Sequence, residues 1–237
     1  DKLTYAGNIE NLIPVMYEIN FVEGDICDYD LLKSTCKKME IDTIINFAAE
    51  THVDNSIKSS DEFIKTNING THTLLKLLHE FKIKKFVQIS TDEVYGALSE
   101  SERPFTEDSK LNPNSPYSAS KTSADLLCRS FYETYGYPIL ITRCSNNYGE
   151  NQHHEKLIPK IILNGTLGHE IPLYGDGQNI RDWIFVEDHV NALITIMNNG
   201  KIGERYCIGA NNELTNKGIT EIICSKLDKK IPKAKPY

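Results

Sequence analysis

Tyr117 and Lys121, in the run Tyr117-Ser118-Ala119-Ser120-Lys121, are spaced to move a proton. At i and i+4 they share one face of a helix. A phenol with a pKa of about 10 is a poor base at neutral pH. A neighbouring ammonium would lower that value, and so would the positive end of a helix. If Pro116 opens the helix, Tyr117 sits in its first turn. A tyrosinate placed there could take a proton from a hydroxyl while hydride leaves the carbon. The bland reading is that Tyr and Lys four apart are common on helices that do no chemistry.

A second set, Ser90-Thr91-Asp92-Glu93-Val94-Tyr95-Gly96, directly follows an apolar run. Ligands of open parallel sheets bind outside the carboxyl ends of the strands. Two acids and a hydroxyl there could form an acid–base set, or merely cap a solvated turn. Adjacent side chains of a strand point to opposite faces, so both acids can face one ligand only if the chain turns at Asp92. Asn46-Phe47-Ala48-Ala49-Glu50-Thr51 is a further strand end, whose small residues let backbone approach a flat or phosphorylated ligand. Arg181, in Arg181-Asp182-Trp183, could fork onto a diphosphate or pair with Asp182. Trp183 suits core packing better than ligand stacking. The histidine pair His153-His154 has no ligand spacing around it, so no metal site is expected.

The elements that must position these residues alternate. Strands are expected at Glu18–Val22, Thr43–Phe47, Lys85–Ser90, Pro138–Arg143, Ile171–Tyr174, Asp182–Val186 and Arg205–Ile208. Helices are expected at Tyr29–Met39, Asp61–Phe81, Pro116–Tyr135, Glu155–Asn164, Glu187–Asn198 and Asn216–Leu227. Ser115-Pro116 reads as N-cap and first helical residue, and Gly136 as the stop. The expected class is α/β, a Rossmann-like doubly wound parallel sheet. Residues 1–150 would form a dinucleotide-binding domain. Residues 151–237 would form a smaller substrate-binding portion, with some elements returning to the first.

The chain has 237 residues and a net charge of −7. That balance argues against general nucleic-acid binding. No apolar run approaches the roughly 20 residues of a membrane span. The opening Asp1-Lys2-Leu3-Thr4 is no signal peptide. The six cysteines lack C-x-x-C spacing and read as reduced thiols, which makes the cytoplasm the expected compartment. Neither G-x-G-x-x-G nor G-x-x-G-x-x-G occurs among the fourteen glycines. The strand, Gly-rich turn and helix that usually open a dinucleotide site are thus not found.

Together, Asp1–Asn8, Gly24-Asp25-Ile26, Asn46–Asp54, Ser90–Gly96, Ser115–Lys121, Arg143–Gly149, Glu155–Pro159, Tyr174–Gly177 and Arg181–His189 resemble the dTDP-glucose 4,6-dehydratases of the short-chain dehydrogenase/reductase superfamily. The resemblance implies that the first strand, turn and helix precede Asp1, and that further residues follow Tyr237. It places Asp1, Lys2, Leu3, Thr4, Asp25, Ile26, Phe47, Ala48, Ala49, Glu50, Thr51, Thr66, Tyr117, Lys121 and Asn147 along NAD. It places Thr51, Thr91, Asn146, Lys156, Leu157, Pro172, Leu173, Tyr174, Arg181 and Asn216 along the nucleotide sugar, with Lys156 and Arg181 on its diphosphate.

The implied reaction is redox-neutral loss of water within deoxysugar biosynthesis of the rhamnose type. Tyr117 and Lys121 would serve C4 oxidation and Thr91 would polarise the C4 oxygen. Glu93 would take the C5 proton and Asp92 would protonate the departing C6 hydroxyl. Asp92 must then carry a proton near neutrality, which the adjacent Glu93 favours. A homodimer paired through Asp61–Phe81 and Pro116–Tyr135 is also implied. One departure is Gly149-Glu150-Asn151-Gln152-His153-His154, which lacks two prolines usual in the family. The alternatives are a nucleotide-sugar epimerase or decarboxylase of the same superfamily, against which the acid pair argues, and a truncated, non-catalytic nucleotide-binding module.

Overall fold

A computed structural model describes residues 1–99, 102–173 and 175–230. A 3-10 helix at Ile9–Val15 precedes α1 (Tyr29–Met39) and β1 (Thr43–Asn46). Then come α2 (Val53–Lys58) and α3 (Asp61–Phe63), a π-helical segment Ile64–Gly70, α4 (Thr71–Glu80) and β2 (Lys85–Thr91). A 3-10 turn, Asp92–Tyr95, leads towards α5 (Pro116–Tyr135) and β3 (Ile139–Cys144). The rest is β4 (Asn146–Tyr148), α6 (Leu157–Leu167), β5 (Ile180–Phe185), α7 (Val186–Asn199), β6 (Arg205–Ile208), β7 (Glu213–Thr215) and α8 (Asn216–Lys230).

Two compact units divide these elements. Residues 1–144 and 192–208 form the first; residues 145–191 and 209–230 form the second. In the first, four parallel strands lie in the order β1-β2-β3-β6. Every residue of β2 from Phe86 to Thr91 is buried, as in a strand covered on both faces. The core joins Leu74, Leu75, Leu77 and Leu78 of α4 to Phe86, Ile139, Ile141 and Cys128. Each fully buried Leu, Ile or Phe among them contributes about 1.5–3 kcal/mol. α5 packs against β2 and β3. Its start is fixed by a reciprocal Ser115–Ser118 capping box with Pro116 first, and its end by Gly136 at φ 68°. In the second unit β5 pairs parallel with β4 and antiparallel with β7, and α6 packs on α8.

Some expected elements differ. Glu18–Val22 is not a strand: Val22 O accepts from Asp1 N (3.2 Å), and just past the stretch Gly24 N donates to Asp1 O (2.9 Å). A ladder needs more rungs. Residues 171–173 have no regular structure, because Pro172 donates no hydrogen bond and a turn with Gly175 and Gly177 at positive φ follows. Tyr174 lies outside the described residues. The helix expected at Asp61–Phe81 ends at Glu80 and is widened in its middle into the π turn of Ile64–Gly70. There the Thr71 hydroxyl donates to the Asn67 carbonyl (2.7 Å) and the Thr73 hydroxyl to Asn69 (2.8 Å), side-chain bonds that loosen a helix. The three-residue strands β4 and β7 were not expected from the sequence; each is too short to show a period. Among the described residues, no helix is long and apolar enough to cross a membrane.

Candidate functional site

At the carboxyl end of β2 the chain turns, as two acids facing one ligand require. Thr91 caps the 3-10 turn, its hydroxyl accepting from the Glu93 N–H (3.2 Å) and donating to Asp92 Oδ1 (3.2 Å). Gly96 closes the turn at φ +92°, and a Cβ there would stand 2.4 Å from the Asn112 carbonyl oxygen, so only glycine fits. Asp92 and Glu93 are half-buried, whereas Thr91 is buried.

Tyr117 and Lys121 approach this turn from α5, and both are buried. The Thr91 hydroxyl hydrogen-bonds the Tyr117 phenol, and the charges of Glu93 and Asp92 act on it. Thr91, Asp92, Glu93 and Tyr117 therefore form one cluster. Lys121 lies beneath it, its Nζ donating to the Ile89 carbonyl of β2 at 2.7 Å.

The electrostatics run against the expectation of a lowered phenol. Burial lifts the Tyr117 pKa well above its ordinary value, Glu93 and Cys144 add to the rise, and the Thr91 hydrogen bond only opposes it. Burial also pushes the Lys121 ammonium down, with Asp125 opposing. Desolvation of a buried group outweighs the local help of a helix end.

A cleft of about 390 Å³ is lined by Asp1, Lys2, Thr4, Gly24, Asp25, Ile26, Asn46, Phe47, Ala48, Ala49, Glu50 and Thr66. That volume falls within the range of small-molecule sites. Lys2 Nζ bridges Asp25 Oδ2 (3.3 Å) and the Thr66 hydroxyl (3.4 Å). The Asp1 carboxylate accepts from the Leu3 N–H at 2.7 Å, with Leu3 at φ 48°. Burial raises the Asp25 carboxyl, but the Cys27 N–H and Lys2 outweigh it and hold the group below its usual value. A cleft lined by the small residues Gly24, Ala48 and Ala49, with the acids Asp1 and Asp25 among its lining, suits a dinucleotide: flat rings lie on small residues and a carboxylate takes ribose hydroxyls. Thr51 is exposed just beyond Glu50.

Asn67 was not among the residues expected to matter. It is 2% exposed. Its Oδ1 accepts from the Glu50 N–H (2.8 Å), while its Nδ2 donates to the Glu50 carbonyl (3.0 Å) and to the Ser120 hydroxyl (2.8 Å). It thus ties the cleft loop to α5 beside Lys121. The signal for it was the cluster of weak helix formers from Thr66 to Thr71 inside an otherwise apolar helix.

The remaining expected residues belong to the second unit. Asn146 and Asn147 lie on β4, and the Asn147 Oδ1 meets His189 Nδ1 at 2.8 Å. Lys156 stands directly before α6, which Leu157 begins, and its Nζ stands 3.9 Å from Glu155 Oε1. Pro172 and Leu173 are exposed. Arg181 is exposed on β5 and donates to the Ile180 carbonyl (2.9 Å). Asp182 instead accepts from the Ala210 and Asn212 N–H groups (2.7 Å each), so it is spent on the backbone. Trp183 is buried as core. Asn216 opens α8.

A family profile described as GDP-mannose 4,6 dehydratase matches residues 1–236. A dTDP-glucose 4,6-dehydratase of Haemophilus influenzae is 47% identical over 98% of this chain and 72% of its own length. The low-salt glycan biosynthesis protein Agl12 of Haloferax volcanii is 50% identical over 94% of the chain and 71% of its own. A crystal structure of the dTDP-glucose 4,6-dehydratase DesIV from Streptomyces venezuelae, with NAD bound, superposes with a TM-score of 0.92 at 46% identity, covering 96% of this chain and 70% of that one.

Proposed function

Because the chain belongs to the GDP-mannose 4,6 dehydratase family, we propose that it is an NAD-dependent hydro-lyase. Its reaction is conversion of dTDP-glucose to the 4-keto-6-deoxy sugar nucleotide and water. The observation that carries this reading is the turn at Asp92, which sets two carboxyl groups and the Thr91 hydroxyl in one cluster with Tyr117. An oxidation alone needs the phenol; a second pair of acid–base groups beside it suits an elimination on the next carbons.

The cleft of Asp1, Asp25, Phe47–Thr51 and Thr66 would hold NAD, which when bound would supply the hydride acceptor. Tyr117 accepts the C4 hydroxyl proton. Its raised pKa means that the protonated form is the stable one, which favours taking that proton and leaves the resting base form dependent on nearby positive charge. Lys121, oriented by the Ile89 carbonyl, supplies such a charge on the same helix face. Thr91 donates to the C4 oxygen as it becomes a ketone. That ketone acidifies C5–H. Glu93 takes the C5 proton, and Asp92 gives one to the C6 hydroxyl, so that water leaves. With hydride given back to C6 and a proton to C5, the redox balance would be zero. Lys156 and Arg181 take the diphosphate of the nucleotide sugar and Pro172 to Tyr174 meet its base, with Asn146, Leu157 and Asn216 also along the substrate and Asn147 on the cofactor side. The protein works as a cytoplasmic homodimer in deoxysugar biosynthesis.

The test is mass spectrometry of dTDP-glucose incubated with the full-length protein and NAD. Loss of one water with no net reduced cofactor is expected. An unchanged mass with inverted sugar stereochemistry, read by NMR, would mean an epimerase instead. An untouched sugar would leave the binding-module reading.

A further inference from the structure

Asp125 stands one helical turn past Lys121 on α5 and is 1% exposed. Its Oδ2 accepts from Arg143 Nε at 2.9 Å; Arg143 belongs to β3 and is 4% exposed. The Arg143 Nη1 donates to the Tyr95 hydroxyl at 2.8 Å, and the guanidinium lies 5.0 Å from the Tyr95 ring centroid. Tyr95 is the last residue of the turn that begins with Asp92 and Glu93. Its ring stacks on Phe105 at 4.9 Å and its oxygen meets Cys207 Sγ at 3.3 Å. A chain of buried polar contacts thus runs from the helix of Tyr117 and Lys121, through β3, to the turn of the acid pair.

Stability alone does not account for it. A buried ion pair is often no better than apolar residues of the same volume, because desolvation offsets the attraction. What it adds is direction: a forked guanidinium held at both ends fixes separation and rotation, which apolar packing leaves looser. The proposed reaction needs such registration, since one group of residues works at C4 and another at C5 and C6 of the same ring. Tolerances for aligned groups are about 0.5 Å.

We propose that Asp125, Arg143 and Tyr95 are positioning residues that hold the Asp92–Glu93 turn in register with the helix of Tyr117 and Lys121. The proposal rests on the dehydratase reading.

Tyr95→Phe is the informative variant. It keeps the ring on Phe105 and removes only the oxygen that Arg143 holds. With the full-length, NAD-loaded protein and dTDP-glucose, kcat is expected to fall about tenfold with KM within about twofold. The fraction of bound cofactor found reduced at steady state, read by its absorbance, should rise, because C4 oxidation keeps its residues while elimination loses its aim. A merely structural role would lower the folded fraction and leave that ratio per folded molecule unchanged. Arg143→Lys keeps a charge for Asp125 but cannot fork to Tyr95, and should show the same rise; it decides the matter if Tyr95→Phe does not fold. A wild-type ratio in a folded variant, in a protein whose wild type dehydrates dTDP-glucose, overturns this proposal alone. A wild type that makes no keto sugar overturns the dehydratase reading and this proposal with it.

Discussion

Replacing Asn67 with alanine tests how the cofactor loop is held. Three hydrogen bonds go: two to the backbone of Glu50 and one to Ser120. The Ser120 hydroxyl keeps its own bond to the Tyr117 carbonyl (2.7 Å) and loses little. Glu50 is half-buried, so its freed N–H and C=O regain some water. At about 1 kcal/mol per net hydrogen bond, the loss is about 2–3 kcal/mol of folding stability. Urea unfolding without ligand should show it as a lower midpoint at unchanged slope. The run from Phe47 to Thr51 also loses its tie to the π turn. Calorimetric titration should show NAD binding weakened by about tenfold, equivalent to about 1.4 kcal/mol. Asn67→Asp is expected to do no better, since a carboxylate would face the Glu50 carbonyl. A shift below about 0.5 kcal/mol together with wild-type affinity would refute the clamp.

Two other outcomes follow from the site. Glu93→Gln and Asp92→Asn should leave C4 oxidation running and slow elimination by about 100-fold or more, trapping reduced cofactor in a single turnover; full activity in Glu93→Gln sinks the role given to Glu93. His189 is 5% exposed and burial lowers its pKa. The unfolded chain therefore binds a proton that the fold refuses, so His189's contribution is complete above about pH 6.5 and falls away as pH drops below it, by at most about 1.4 kcal/mol per pH unit. His189→Asn should flatten urea midpoints measured from about pH 6.5 down to 5, and an unchanged slope counts against it.

What the sequence made legible was local. The alternation of short β-branched runs with helical stretches pointed to the parallel sheet that β1, β2, β3 and β6 form, and Ser115-Pro116 with Gly136 marked both ends of α5. Even the turn at Asp92 was legible, as a condition: adjacent acids serve one ligand only if the strand ends between Thr91 and Glu93. What the sequence did not carry depends on partners far along the chain. Glu18–Val22 has strand composition, yet a strand exists only beside another, and here its Val22 carbonyl pairs with Asp1 rather than with a neighbouring strand. Asn67, Asp125 and Arg143 are ordinary polar residues until folding brings Glu50, Ser120 and Tyr95 to them. Tyr117 shows the limit most clearly. Lysine four residues on and a helix start both argue for a lowered phenol, and both are present. Burial of the phenol against the Asp92 turn, which depends on residues far apart in the chain, is larger and reverses the sign. Local spacing can therefore nominate a base, but the charge that makes it one must come from the assembled site.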